Sequence, residues 1–418
     1  CVVEYGGAYA STPSYLFVIH GASYINYCTV RHNQGNAAIA GSLFPDWSSS
    51  DNYPVRITNS TITQNSGSAI AAVRNATITG NTITYNSNSG WNGAIWLNRG
   101  PSVGANSYVT ISNNTISHNS SAGIAAQLWQ GATLTITQNS ITDNSGNGID
   151  FQTQGSSSWP APIVTVSNNI ILNNSSIGLL ISDGFEELIA SVSDNTIADS
   201  GSEEIYIWRS DQDTKITVTQ NRIHDGTGAG VTVRLTDSEV LSTKDIFQYN
   251  TITGTTTDGN IIHIDKGTPT ISNNNIFQES TSYSVYAGSN VDSEITQILE
   301  NNWWGTASDT EIQALIYDWN DDPTRKATDY TPFLTAPDTT APPSPPTNVA
   351  AQTGPTTIAL TWDANPESDI TGYKVHYDTD AAGYPYASSV NVGNVTSYIL
   401  TGLSTATTYY TAVSAYDS

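Results

Sequence analysis

The sequence predicts an all-β protein in which a parallel β-helix of about eleven coils is followed by a small β-sandwich. The first observation is one position, usually Asn, that recurs every 21 to 33 residues through most of the chain. Intervals of this size suit a solenoid with three short strands in each coil and insertions in its loops. The recurring residues are Cys1, Cys28, Ser60, Asn81, Asn114, Asn139, Asn169, Asn195, Asn221, Asn250, Asn274 and Asn301.

The second observation is the alternation of apolar residues with Ser or Thr around this position. VTISNNTISHN (109–119) and LTITQNSITDN (134–144) have the period of two residues that is typical of a strand with one buried face. The chain is predicted to bend at the Asn, because Asn tolerates left-handed dihedrals and its amide can bond to copies in neighbouring coils. About eleven units stacked at ~4.8 Å would bury a continuous core in a rod of roughly 50 Å.

The repeated [IV]-[ST]-x-N-x-I unit resembles the right-handed parallel β-helix repeat family of secreted and surface proteins. The segment NNWWGTASDTEIQALIYDWNDDPTRKATDYTPFL (301–334) is similar to the terminal segment that many members share. The resemblance implies a β-helix domain over residues 1–334. The family includes lyases, hydrolases, epimerases and adhesins, so the resemblance implies a fold without implying one activity.

A short helix is predicted to cap the β-helix at residues 308–320. In SDTEIQALIYDW the apolar residues recur at helical spacing, and Ser308 with Glu311 has the spacing of a capping box. An open coil end exposes an unpaired strand edge, which a helix lying across it would cover.

A proline-rich segment and a second domain follow. Residues 335–346 are predicted to form an extended spacer. Residues 347–418 resemble a fibronectin type III domain, on the evidence of Trp362, the GYKVHY strand, Leu403, and Tyr409 as the tyrosine corner. The sequence stops after the sixth predicted strand, so we expect either a truncated sequence or a last strand supplied by another chain.

Composition favours an exported protein. With 13 Lys and Arg against 37 Asp and Glu, the formal charge is −24, which disfavours nucleic acid and anionic membranes as partners. The sequence lacks an apolar run of the ~18 residues that a transmembrane helix needs. Because it begins without Met and inside a predicted coil, we expect a mature or partial product that is secreted or held at the cell surface.

Cys1 and Cys28 occupy equivalent positions one coil apart. They could form a disulfide, since stacked backbones lie about 5 Å apart. They could instead be two small buried residues that replace Asn in the column. A lipidated Cys1, as in bacterial lipoproteins, is a third alternative.

One outer face of the predicted β-helix carries candidate glycan-binding residues. The alternation in Gly123–Leu128 places Gln127 outward, and the same frame brings an aromatic and amide set to that face. Such side chains stack on sugar rings and bond to hydroxyls, although loops or a neighbouring molecule could equally cover them. The candidates are Trp96, Gln127, Asp150, Gln152, Tyr206, Trp208 and Arg234.

The sequence contains no convincing set of catalytic residues and therefore disfavours an enzyme. Asp150 and Arg234 lie three coils apart, roughly 14 Å, which is too far for joint action. The pairs Glu186 with Glu187 and Glu203 with Glu204 could serve a hydrolase, but both are predicted in turns where solvated charge is ordinary.

Two kinds of modification or ligand site are also predicted. Asp318, Asp321 and Asp322 could bind calcium, the one cofactor considered, or could form a plain acidic helix end. Asn-x-Ser/Thr sequons could carry glycans in a secreted chain. They are Asn59, Asn75, Asn113, Asn119, Asn173, Asn174 and Asn394.

These features together predict an extracellular or cell-surface structural or adhesive protein, such as the subunit of a self-assembling fibre. An uncapped first coil and an incomplete sandwich predict head-to-tail self-association. The alternative is a polysaccharide-binding module or carbohydrate-active enzyme, a lyase or a hydrolase, that uses the outer face.

Overall fold

The chain folds into a long parallel β-solenoid and a separate β-sandwich. The computed structural model describes residues 1–4, 15–19, 23–41, 54–72, 75–87, 93–98, 107–129, 131–154, 160–183, 187–209, 213–224, 231–237, 245–254, 260–265, 267–278, 283–289, 296–380, 384 and 386–417. The solenoid strands are β1 Val2–Glu4, β2 Tyr15–Ile19, β3 Ser23–Asn26, β4 Thr29–Arg31, β5 Ala37–Gly41, β6 Val55–Thr58, β7 Thr61–Thr63, β8 Ser68–Ala72, β9 Ala76–Thr79, β10 Thr82–Thr84, β11 Gly93–Asn98, β12 Ser107–Ser112, β13 Thr115–Ser117, β14 Ala122–Trp129, β15 Ala132–Thr137, β16 Ser140–Thr142, β17 Ile149–Gln154, β18 Ile163–Ser167, β19 Ile170–Leu172, β20 Leu179–Ser182, β21 Ile189–Ser193, β22 Thr196–Ala198, β23 Ile205–Arg209, β24 Lys215–Thr219, β25 Arg222–His224, β26 Val231–Asp237, β27 Ile246–Gln248, β28 Thr251–Gly254, β29 Asn260–Ile264, β30 Thr270–Ser272, β31 Asn275–Gln278, β32 Val285–Tyr286, β33 Gln297–Ile298, β34 Ile316–Tyr317 and β35 Thr328–Asp329.

Three parallel sheets run the length of the solenoid, as the predicted fold class requires. Each coil adds one strand to each sheet, so strands three apart in the chain pair with each other. The eleven-stranded sheet runs from β1 to β31, the twelve-stranded sheet from β2 to β34, and the ten-stranded sheet from β3 to β30. The inward side chains, mostly Ile and Val, form one continuous core between the sheets.

A ladder of buried Asn side chains joins the coils, as the recurring position predicts. Asn139 Nδ2 and Asn139 N both donate to Asn169 Oδ1, at 2.9 and 3.0 Å. Asn169 Nδ2 then donates to Asn195 Oδ1 at 3.0 Å and to the Ile136 carbonyl at 2.9 Å. Each buried amide therefore satisfies backbone and side-chain groups of both neighbouring coils.

The left-handed bend lies one residue before the ladder, which corrects the prediction that the chain bends at the ladder Asn. Asn113, Gln138 and Asn168 have φ values of 55°, 57° and 56°, whereas the Asn that follows each of them faces the core. The last ladder residue is accordingly Asn302, whose Oδ1 accepts from Asn274 N at 2.9 Å. Asn301, predicted for that position, is the left-handed residue with φ 59°.

A second Asn ladder, absent from the prediction, runs parallel to the first and five residues later in each coil. Asn86 Nδ2 donates to Asn119 Oδ1 at 3.0 Å, and Asn119 Nδ2 donates to Asn144 Oδ1 at 2.9 Å. In the coil after Asn174 the ladder position is Ser200, and Glu204 Oε1 of the same coil accepts from Ser200 N at 2.9 Å. The spacing of five residues is visible in the sequence once the first ladder is placed.

The cap helix is shorter than predicted. α1 spans Asp309–Ala314, with Ser308 as its N-cap accepting from Glu311 N. The chain then returns to the twelve-stranded sheet as β34, where Ile316 pairs with Val285. Because β34 takes over the apolar pattern, Trp319 is 52% exposed instead of extending a helical stripe.

The proline-rich segment lies against the solenoid, whereas the sequence predicts an extended spacer. Asn275 exchanges two hydrogen bonds with the backbone of Asp338, at 2.7 and 3.0 Å. Arg222 Nε donates to the Pro343 carbonyl at 2.9 Å. Prolines lack N–H groups but keep acceptor carbonyls, so donors on the coil surface can hold them. Burial lowers the pKa of Arg222, and the carboxylates of Asp417 and Glu367 in the second domain act in the opposite direction.

The second domain has the predicted sandwich. One sheet has the order β36 (Ala350–Thr353), β37 (Ile358–Thr361), β40 (Ser397–Leu400), and the other β39 (Ser388–Gly393), β38 (Gly372–Asp378), β41 (Tyr410–Tyr416). Trp362 and Tyr373 pack in its core. The Tyr409 hydroxyl accepts from Ser404 N at 3.1 Å, the contact of a tyrosine corner.

Candidate functional site

The outer faces of the three long sheets differ in composition. The ten-stranded sheet presents Ser or Thr at two outer positions of six consecutive coils, in the pairs Thr77 and Thr79, Thr110 and Ser112, Thr135 and Thr137, Thr165 and Ser167, Ser191 and Ser193, and Thr217 and Thr219. A third outer column of this sheet holds Tyr108, Thr133, Ile163, Ile189 and Lys215. The eleven-stranded sheet carries the proline-rich segment over its last coils. The twelve-stranded sheet carries aromatic, amide and charged side chains in two adjacent columns of its outer face.

These side chains stand in columns set by the strand register. One column pairs Trp96 with Ala125, Asp150, Leu180, Tyr206 and Arg234 in successive coils. A neighbouring column holds Gln127, Gln152, Ser182 and Trp208. All seven sequence-predicted candidates therefore share one face, and each is half-buried.

The first column continues beyond the predicted residues. Arg234 is paired with His263, His263 with Tyr286, and Tyr286 with Tyr317. Alternation in NIIHID was enough to place His263, but Tyr286 and Tyr317 lie in strands of two residues with no readable period. We call the whole set the outer strip. It consists of Trp96, Gln127, Trp129, Asp150, Gln152, Leu180, Tyr206, Trp208, Arg234, His263, Tyr286 and Tyr317.

Trp129 is another residue that sequence reasoning missed. It ends β14 two residues after Gln127 and therefore also faces outward, paired with Gln154. Its indole Nε1 is buried and has no hydrogen-bond partner among the residues described. A buried N–H without a partner costs about 1–3 kcal/mol.

Asp150 lies near the middle of the strip, between Ala125 and Leu180. Burial raises the pKa of its carboxyl, against a hydrogen bond from Asn147 Nδ2 that lowers it. The Asn147 Nδ2 to Asp150 Oδ2 distance is 3.3 Å. A desolvated carboxyl in a row of apolar and amide neighbours is the kind of group found at ligand sites.

Charged residues gather farther along the strip. Arg234 Nε lies 3.0 Å from Glu203 Oε1, and Arg234 Nη1 lies 3.9 Å from Asp265 Oδ2. His263 Nε2 is 2.9 Å from Asp265 Oδ1. Glu203 and Glu204 are 7% and 0% exposed, so the expectation of solvated turn carboxylates is wrong for both. Glu187 is exposed as expected, and Glu186 lies outside the described residues.

The predicted calcium ligands do not converge. Asp318 is buried and accepts from Asn320 N at 2.9 Å and from Thr328 Oγ1 at 2.6 Å. Asp321 accepts from Asp318 N, and Asp322 accepts from Thr324 N. These carboxylates stabilise the turns after β34, and the described part of the chain contains no group of three or more His, Cys, Asp or Glu arranged to hold a metal.

The sequons divide by burial. Asn59, Asn113, Asn173 and Asn394 are exposed, and Asn75 is half-buried. Asn119 and Asn174 are 0% and 1% exposed and belong to the second ladder, so the fold leaves no room for a glycan on them. That correction could not come from the sequon motif, which contains no information on which way the amide points.

The cysteines lie at the start of the first ladder. Cys1 Sγ and Cys28 Sγ are bonded, with Cα atoms 4.6 Å apart. Cys28 occupies a ladder position, because its N–H donates to Ser60 Oγ at 3.1 Å. Cys1 is exposed and bonded to Cys28, so the alternative of two small buried residues without a bond is wrong.

Comparison with known proteins identifies both domains. The model of the right-handed β-helix region matches residues 15–185 and 153–308, and the fibronectin type III model matches residues 344–418. A Kelch domain-containing protein, SSO1033 of Saccharolobus solfataricus, is 42% identical over 77 residues, which are 18% of this chain and 10% of that protein. The chain thus spans about a tenth of that relative.

Two solved tailspike proteins resemble the chain weakly. The Dettilon tailspike protein has a TM-score of 0.33 at 13% identity, over 96% of this chain and 86% of that one. A double mutant of the tailspike protein of E. coli bacteriophage HK620, in complex with a pentasaccharide, has a TM-score of 0.33 at 10% identity, over 99% and 86%. Likeness at this level identifies no ligand of this chain.

Proposed function

Because this chain belongs to the right-handed β-helix family and carries a fibronectin type III domain, we propose that it is an extracellular or cell-surface rod that binds polysaccharide along its outer strip. The observation that carries the proposal is the contrast between faces. Six consecutive coils of the ten-stranded sheet carry Ser or Thr at two outer positions each, whereas the corresponding columns of the twelve-stranded sheet collect Trp, Tyr, Gln and Asp. Solubility alone would not require that difference.

The strip offers the contacts that sugars need. Trp and Tyr side chains present apolar surface with a polar tip, and Gln amides both donate and accept. Gln127 and Gln152 are register partners in adjacent coils, about 4.8 Å apart. Trp208 lies two coils beyond Gln152 in the same column. A flexible chain of hydroxyl-rich rings could follow such a row along the solenoid axis.

A Trp208→Ala variant is expected to bind the polysaccharide roughly tenfold more weakly, a loss of about 1.4 kcal/mol, because it removes one stacking surface. A glycan array on the purified chain identifies the ligand, and calorimetry on the variant measures the change. Tyr108→Ala is the matched control, since Tyr108 is 56% exposed on the ten-stranded sheet. Equal affinity of the two variants would place the ligand elsewhere.

We also propose a structural or adhesive role, in which the chains assemble head to tail. Among the described strands, β2 and β41 lie at the edges of their sheets, where unpaired backbone groups can accept another strand. No helix in the described part of the chain is long and apolar enough to span a membrane.

Light scattering tests the assembly. A mass that rises with protein concentration, and filaments visible by electron microscopy, are expected if the edges pair between subunits. A constant monomer mass over a wide concentration range would contradict assembly and leave the glycan-binding proposal unaffected.

A further inference from the structure

The cations of the outer strip are already matched by carboxylates. Arg234 lies between Glu203 and Asp265, as described above. Arg325, which lies over the Tyr286 ring at 4.4 Å, has Nε 3.7 Å from Asp322 Oδ2. Both guanidinium groups that the structure describes at the strip therefore have an acidic partner within 4 Å. An anionic ligand would have to displace these partners and would also meet the formal charge of −24.

In the last part of the strip, formed by His263, Tyr286 and Tyr317, the faces of the Tyr286 ring are occupied. Tyr286 stacks on Tyr317 with ring centroids 4.9 Å apart and planes 4° apart, and the His263 ring lies 4.7 Å away on the preceding coil. Arg325 Nη2 also donates to the Tyr286 hydroxyl at 2.7 Å. This aromatic stack presents ring edges and hydroxyl groups, which suit hydrogen bonding better than stacking on a sugar.

The first part of the strip, from Trp96 to Trp208, offers mainly neutral hydrogen-bonding groups. Gln127 and Gln152 carry amides, and Trp96, Trp129 and Trp208 carry indole rings. Asp150 is the one carboxyl in this part among the described side chains. An anionic ligand beside it would add a like charge to a site that is already poorly solvated.

Resting on the proposed function, we infer that the ligand is an uncharged polysaccharide, held by amide, indole and hydroxyl hydrogen bonds rather than by ion pairs. The ligand lies along the axis of the solenoid. From Trp96 to Trp208 the strip advances four coils, about 19 Å at the strand spacing, so it meets several consecutive sugar residues. Longer oligosaccharides therefore bind more tightly than mono- or disaccharides.

The experiment compares neutral and acidic polymers on the full chain. Glucan, mannan, galactan and xylan are tested beside polygalacturonate and alginate, by affinity electrophoresis and calorimetry. Each titration is run at about 0.01 M and about 1 M ionic strength, where the screening length falls from ~30 Å to ~3 Å. Binding to a neutral polymer is expected, with less than about a twofold change between the two salt concentrations, because no ion pair forms.

The variants separate this inference from the proposed function. Trp208→Ala and Gln152→Ala should each weaken binding of the neutral polymer. Gln152→Ala provides the test if Trp208→Ala does not fold. Tighter binding of the acidic polymers that weakens at high salt and depends on Trp208 or Gln152 would overturn the inference and leave the strip as the site. No binding by any polymer, or binding unaffected by both variants, would overturn both.

Discussion

Replacing Asn169 by alanine is expected to lower the free energy of unfolding by about 4 kcal/mol, among the largest effects of any single substitution in this chain. The Asn169 side chain sits in the middle of the first ladder and is 1% exposed. Its loss leaves Asn139 N–H without an acceptor and the Ile136 carbonyl without a donor. Each orphaned buried group costs about 1–3 kcal/mol, and the vacated volume adds to the loss.

Urea unfolding followed by circular dichroism measures this effect. The matched control is Thr165→Ala, on the outer face of the same coil, where a change within about 0.5 kcal/mol is expected. If the two variants unfold at the same urea concentration, the ladder is not a main source of stability. A broadened transition in Asn169→Ala alone would show the coils on either side unfolding separately.

Removing the Cys1–Cys28 disulfide is expected to destabilise the first two coils by about 3.5 kcal/mol, from the entropy of closing a loop of 27 residues. The suitable variant is Cys1→Ser combined with Cys28→Ser. Serine fits the ladder at this position, because Ser60 occupies it in the next coil and donates to the Thr58 carbonyl at 2.7 Å.

Hydrogen exchange measures the loss locally. Amides of β4 and β7 are expected to exchange a few hundredfold faster in the double variant, the fold-change equivalent to that free energy. Amides of β18 and β19 serve as the internal control, because a coil interacts only with its neighbours. Unchanged exchange in β4 and β7 would mean that stacking alone holds the first coils.

The sequence by itself determined the architecture of this protein. A buried residue recurring once in each coil, with apolar alternation on either side, specifies both the stacking of coils and the face that each residue presents, because strand alternation has a strict period of two. The same rule places Trp96, Asp150 and Tyr206 on one outer face, and the strand register then aligns them in one column. The sandwich followed from Trp362 and Tyr409 for a similar reason, since both positions are tied to the local pattern of the fold.

Only the tertiary structure decided the features that depend on groups far apart in sequence. The burial of Glu203 beside Arg234, the stack of Tyr286 on Tyr317 and the attachment of Asp338 to Asn275 join residues separated by insertions of variable length. Local periodicity contains no information about those separations. Asn301 and Asn302 show the limit most simply: both are Asn, and the choice of which one turns the chain and which one enters the ladder follows from the register of the preceding coil.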